Sequence, residues 1–167
     1  QGAGMLQVDA AYEHLVNYRD DRYTDVTFHA TGPGNTRGIY LREPFETDEP
    51  SEISVSFTPE WLKDADKRRR VDFDMRLKLE ATEPWVEVAK NHTLNSAGRD
   101  TTVRVDPTGL EPGAHFTQIL AFDAEYPERG AMFTFPVTVV KGIELGADSG
   151  YTWRDTITTT NGDLIKH

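Results

Sequence analysis

The chain has 167 residues, with 28 Asp and Glu against 18 Lys and Arg, for a formal charge of −10. That acidity opposes a nucleic-acid or anionic-membrane surface, because phosphates would be repelled over most approaches, while 37% hydrophobic residues suffice for a packed core. Cysteine is absent, which excludes disulfides and thiolate metal ligands and leans towards a reducing compartment, and no stretch approaches the roughly 20 apolar residues that span a bilayer.

The chain opens with Gly2-Ala3-Gly4-Met5-Leu6-Gln7-Val8, a glycine pair leading into an apolar stretch. Residues 9–18 then favour a short helix, with Asp9 placed to cap it and Tyr12, Leu15 and Val16 on one face. The polar stretch from Arg19 to Arg22 ends it, and the period changes to two. Val26-Thr27-Phe28 and Gly38-Ile39-Tyr40-Leu41 are short strand-like runs. Ile53, Val55 and Phe57 alternate with Glu52, Ser54 and Ser56. Thr58-Pro59-Glu60 reads as a helix start, which puts Trp61-Leu62 on a short loop helix with Trp61 packing over a sheet edge. Lys67-Arg68-Arg69-Arg70 falls in a loop before the cleanest strand, where Val71, Phe73, Met75, Leu77 and Leu79 alternate with Asp72, Asp74, Arg76, Lys78 and Glu80. One wet and one buried face follow from that pattern. Trp85-Val86-Glu87-Val88 and Val103-Arg104-Val105 are further short strands, and the more apolar runs 115–122 and 132–140 are expected to be central.

Turn chemistry separates these runs: Gly32-Pro33-Gly34-Asn35, Glu83-Pro84, Asn95-Ser96-Ala97-Gly98 and Tyr126-Pro127-Glu128-Arg129-Gly130. In Asp106-Pro107-Thr108-Gly109-Leu110-Glu111-Pro112-Gly113, both Gly109 and Gly113 are expected at positive φ, with Leu110 tucked under the corner. The strand count and spacing predict a mainly β chain, an immunoglobulin-like antiparallel β-sandwich of about seven strands with a short N-terminal helix. Phe73, Met75, Leu77 and Leu79 are expected in its core, against the 115–122 and 132–140 strands. Residues 142–167 differ: Gly142, Gly146, Gly150 and Gly162 interrupt a Thr-rich stretch that ends near Leu164-Ile165, with Tyr151 and Trp153 within it. That reads as a linker and the first strand of a following domain.

The chemistry is sparse. The five histidines, at 14, 29, 92, 115 and 167, lie far apart, and Glu13-His14 lacks the second His one turn on that a zinc helix requires. Each is expected to be a surface or packing residue. Asp20, Asp21 and Asp25 lack the alternating loop and closing Glu of a calcium site. Gly2 and Gly4 lack the third glycine of a dinucleotide loop. Asp148-Ser149-Gly150 is similar to a chymotrypsin-type nucleophile segment, but a catalytic serine needs a base and an orienting acid, and this triplet falls in the linker. The basic run 67–70 fits an import signal or an acidic partner, and equally a solvated loop, the reading favoured here. Asn91-His92-Thr93 is a glycosylation triplet only in a secreted protein. No catalytic, cofactor-binding or metal residue is assigned.

Several segments share one order: Gly4-Met5-Leu6-Gln7-Val8-Asp9, Arg37-Gly38-Ile39-Tyr40-Leu41-Arg42 with an acidic Pro-bearing stretch after it, Trp85-Val86, Arg104-Val105-Asp106-Pro107-x-Gly109-Leu110, Gly113-x-His115 and Pro136-Val137-Thr138. Through them the chain resembles the tripeptidyl-peptidase II family of subtilisin-like serine peptidases over nearly all of residues 2–141. The resemblance implies a cytoplasmic serine exopeptidase (an aminopeptidase of the subtilase clan) that releases tripeptides from free N-termini and assembles into very large homo-oligomers. The family's catalytic Asp, His and Ser and its oxyanion Asn would precede Gln1. It further implies that residues 1–22 close the catalytic domain, 23–141 form the sandwich, and 142–167 lead into the next domain. The partners would be the rest of the peptidase and other protomers, with peptides bound only through the parent and neither nucleic acid nor membrane involved. The alternative is an adhesion or ligand-binding module of a secreted protein, with a glycan on Asn91; the lack of cysteine speaks against it.

Overall fold

The computed structural model describes residues 7–18, 23–143, 157–158 and 164–165. Helix α1 (Val8–Tyr18) begins one residue before Asp9, which therefore sits in the first turn, where a carboxylate favours the helix dipole, and not at the cap. Tyr12, Leu15 and Val16 are all exposed.

Period-two alternation builds the rest. β1 (Val26–Thr31), β2 (Ile39–Leu41), β3 (Ser51–Trp61), β4 (Asp74–Ala81), β5 (Val86–Val88), β6 (Asn91–Asn95), β7 (Arg99–Val105), β8 (Gly113–Asp123) and β9 (Ala131–Lys141) form two sheets. One has four strands in the order β1-β3-β7-β5 and the other five in the order β2-β9-β8-β4-β6. Neighbours are antiparallel except for β2 with β9, which run parallel. The core lies between the inner faces: Val55, Phe57, Val103 and Val105 from one sheet, Met75, Leu77, Leu79, Leu94, Ile119, Phe135 and Val137 from the other. Burying one such side chain is worth about 1.5–3 kcal/mol, so the alternation fixes which face turns inwards. On β4 the odd residues Met75, Leu77 and Leu79 are buried and Asp74, Arg76, Lys78 and Glu80 are wet. β8 and β9 lie inside their sheet, as their apolar content implied. This is the expected immunoglobulin-like sandwich with a short N-terminal helix, except that, among the described residues, nine strands stand where about seven were expected and one pair is parallel.

The structure corrects several local expectations. Thr58-Pro59-Glu60 starts no helix: β3 continues through Trp61, in register with β1 to the pair Val26↔Trp61. β7 pairs with β3 only as far as Phe57, so Pro59 lies where β3 has, among the described residues, a single neighbouring strand and a missing N–H is tolerated. The run from Lys67 is a helical turn, α3 (Lys67–Val71), because Asp66 Oδ1 accepts hydrogen bonds from the Arg68 and Arg69 N–H groups at 2.7 and 3.2 Å. That turn removes Val71 from the strand and leaves it 78% exposed. Phe73 reaches the core only partly, and β4 lies in the same sheet as β8 and β9, so Met75, Leu77 and Leu79 face the β1-β3-β7-β5 sheet and not the 115–122 and 132–140 strands. Gly113 has φ 141°, but Gly109 is not in the left-handed region. The Leu110 N–H bond to the Pro107 carbonyl, 3.1 Å, closes an ordinary turn around Gly109 that a side chain could also adopt. Leu110 does pack against the core.

Two elements carried signals the sequence reading passed over: β6, whose His92 and Leu94 alternate inwards, and α2 (Pro44–Thr47), a one-turn helix with Pro44 in its first turn. Ile157–Thr158 and Leu164–Ile165 pair antiparallel as β10 and β11. The tract Gly2 to Leu6, the stretch Arg19 to Arg22 with Asp20 and Asp21, Gly146, Asp148-Ser149-Gly150, Tyr151, Trp153, Gly162 and His167 lie outside the described residues.

Candidate functional site

Each histidine whose side chain is described has a structural partner. His29 sits on β1 with Nε2 against the Glu60 carboxylate across the ladder. His115 Nε2 lies 2.7 Å from the Glu111 carbonyl, bracing the turn that enters β8. His92 is buried on β6, edge-on to the Phe57 ring with centroids 5.3 Å apart. Burial, and then the positive charge of Arg99, pushes the His92 pKa below the usual histidine value; a hydrogen bond to the Arg99 backbone opposes the shift. Asp123, on the inner face of β8, is also buried, and its Oδ1 accepts the Glu125 N–H at 2.8 Å. His92 and Asp123 flank Leu77 from opposite sides, one on each neighbouring strand, and so stand on separate sides of a packed leucine. Among the described residues no group of three or more His, Asp or Glu is arranged to hold a metal ion.

The basic turn is better organised than a solvated loop. Arg69 Nη1 reaches Asp25 Oδ2 at 3.2 Å, tying α3 to the residue before β1. Beside it Trp61 stands edge-on to Phe73, with centroids 5.2 Å apart, and Tyr23 meets the same ring edge-on at 6.3 Å. Trp61 is therefore a packing residue, as expected, but from a strand. Asp72 caps the C-terminal end of α3, and Asp74, Arg76 and Lys78 form the wet face of β4.

Two large exposed aromatic side chains beside a cavity lie elsewhere, at the corner where β2 meets α2. Phe45 is 80% and Tyr40 59% exposed. Glu46 pins this corner: its Oε2 accepts the Arg42 and Glu43 N–H groups at 2.9 and 3.0 Å, and these two bonds hold its carboxyl below the usual carboxylate range. Only the Glu43 bond is a capping interaction of α2; that from Arg42 extends it to the residue before. Asp106 is held low in the same manner by the Thr108 hydroxyl and N–H.

Residues 26–140, the sandwich from β1 to β9, match the family model described as tripeptidyl-peptidase II, first Ig-like domain. The chain belongs to the tripeptidyl-peptidase II family. It is 36% identical over 151 residues to tripeptidyl-peptidase 2 of Drosophila melanogaster, an alignment covering 89% of this chain and 10% of that protein. To tripeptidyl-peptidase 2 of Arabidopsis thaliana it is 34% identical over 145 residues, 83% of this chain and 10% of the relative. A crystal structure of tripeptidyl peptidase 2 superposes with a TM-score of 0.80 at 33% identity, covering 98% of this chain and 14% of that one. The chain thus spans about 10% of the length of these curated relatives, which are peptidases of the family.

Proposed function

We propose that this chain is a non-catalytic, immunoglobulin-like segment of a tripeptidyl-peptidase II-like serine exopeptidase, and that it works as a scaffold joining the catalytic domain to the rest of the protein. In this reading residues 1–22 close the subtilisin-like domain, 23–141 are the sandwich, and 142–167 enter the next domain. The parent releases tripeptides from free N-termini in the cytoplasm and assembles into homo-oligomers. The observation that carries the reading is the family match over residues 26–140. The apolar face of α1 supports it, since Tyr12, Leu15 and Val16 are 68%, 66% and 51% exposed and a neighbouring fold would cover them.

The test has two parts. The chain alone is assayed with a fluorogenic tripeptide amide, for which no turnover is expected; turnover that copurifies with the chain overturns the non-catalytic assignment. In the full-length peptidase, Tyr12, Leu15 and Val16 are replaced together by Ser, and assembly is followed by light scattering. Loss of assembly or of activity is expected. An enzyme of unchanged size and turnover would remove the scaffold role.

A further inference from the structure

One open corner of the sandwich lies where β3 faces β2. β1 pairs with β3 only from Ser56 to Trp61. Residues 51–55 of β3 therefore have β7 on one side and, among the described residues, no strand on the other. Facing them, β2 is the outermost strand of its sheet, with β9 along one edge and, among the described residues, no strand along the other. Between these two edges is a cavity of about 460 Å³ whose lining includes Ile39, Leu41, Phe45, Ser51 and Ile53. Its size falls in the range of about 300–1,000 Å³ in which proteins hold ligands. One polar atom inside the corner is unmatched: Ser51 Oγ is buried and has no hydrogen-bond partner. A buried hydroxyl left unpaired forfeits the hydrogen bonds it would make with water, so a partner there is favoured.

We propose that this corner is the docking site of an extended segment from elsewhere in the same peptidase chain, added as a further strand on the outer edge of β2. Its apolar side chains enter the groove between Ile39, Leu41 and Ile53 under the Phe45 ring, and one of its polar groups meets Ser51 Oγ. The proposal rests on the reading of this chain as part of a longer peptidase.

The chemistry of the corner selects an extended peptide. An open strand edge offers backbone donors and acceptors in a row, and alternate side chains of an added strand fall two residues apart on the groove side. Charge adds little choice, because Arg37 and Arg42 are interspersed with Glu43, Glu46 and Glu52 around the opening. Magnitude separates the two candidate sources of such a strand. A second copy would associate through a three-residue edge, where a stable interface uses about 20–30 residues a side. It would also have to offset the translational and rotational freedom that two separate molecules lose on association. A tethered segment meets its site at an effective concentration on the order of millimolar and needs no such interface. The chain covers 10% of its fly relative, so the relative has ample sequence to supply that segment.

Amide hydrogen exchange read by mass spectrometry tests this, on the chain alone and within the full-length peptidase. Peptides covering residues 37–46 should exchange at least tenfold more slowly in the full-length protein, while those covering 75–79 in the core exchange alike in both. Phe45→Ser, at a side chain too exposed to matter for folding, should restore fast exchange at 37–46 in the full-length protein and leave 75–79 unchanged. Equal exchange of 37–46 in the two proteins would overturn the proposal. So would protection in the chain alone that rises with its concentration, which would assign the corner to a second copy. These outcomes are independent of the functional reading, which fails instead if the encoded sequence before Gln1 holds no subtilisin-like domain.

Discussion

The middle of the sandwich and its β2 corner are built from the same kinds of residue and differ in what stands next to them. In the middle, Phe57 is 0% and Leu77 1% exposed, each between strands on both sides and beneath the opposite sheet. At the corner Phe45 and Tyr40 belong to a one-turn helix and a three-residue strand, and they remain largely in water. An aromatic ring contributes to stability only through the neighbours that exclude water from it, so apolar character without a covering element marks a surface and not a core. The contrast predicts a steep gradient of mutational cost from middle to corner.

The largest effect belongs to Phe57→Ala, which removes a ring packed on Phe133, centroids 5.1 Å apart, and on His92. A loss of about 3–5 kcal/mol is expected in chemical denaturation. A loss below about 1 kcal/mol would mean that the middle is no better packed than the corner. Next comes Leu77→Ala at roughly 2–5 kcal/mol, against Lys78→Ala within about 0.5 kcal/mol; Lys78 lies on the wet face, paired with Glu80. Equal costs for these neighbours would contradict the period-two face.

Glycines sharpen the comparison at the level of backbone. Gly98 has φ +83°, and a Cβ there would sit 2.8 Å from the Phe57 carbonyl. Gly98→Ala should cost about 1–3 kcal/mol. Gly109→Ala meets nothing within 4 Å and should be neutral or stabilising by up to about 1 kcal/mol. Thermal melts of the two variants decide it, and the reverse order would refute the turn assignment.

A smaller effect is the pH response of the middle. The folded His92 pKa lies below its ordinary value, so the unfolded chain takes up the proton first as pH falls. Its contribution to stability is complete above about pH 6.5 and declines as pH drops through that value towards the folded pKa. The melting temperature should therefore fall between pH 7.5 and 5.5, and less so in His92→Gln relative to its own value at pH 7.5. An unchanged slope in the variant would show that His92 does not carry the response. Smallest of all is Phe45→Ser in the isolated chain, within about 0.5 kcal/mol of the parent; a larger loss would show that the corner is already covered.

Legibility in the sequence followed the length of the pattern. β4 declared itself because three apolar residues repeat on one face, β8 and β9 because their runs are the most apolar, and the spacing of turns between them carried the sandwich. Shorter signals failed where a neighbour decided the outcome. Thr58-Pro59 has the chemistry of a helix start, yet the ladder to β1 extends β3 across it. Val71 continues the apolar alternation, yet the Asp66 cap winds it into α3. β6 was hidden because His92 counts as polar by type while behaving as a packed ring. The absence of an assigned catalytic site followed from residue types and spacing, but the open corner could not, since its edges come from residues 39–41 and 51–55 of different sheets.

By itself the sequence determined the fold class, the inward face of β4 and of the first half of β3, and the family through a series of motifs in fixed order. Those properties are local, being set by residue type at a period of two and by turn chemistry a few residues long. Tertiary structure alone decided where strands end, which histidine is dry, and which apolar residues lack cover. The physical reason is that burial and strand pairing depend on partners far away in the chain, and the free energy of each contact exists only once those partners are in place.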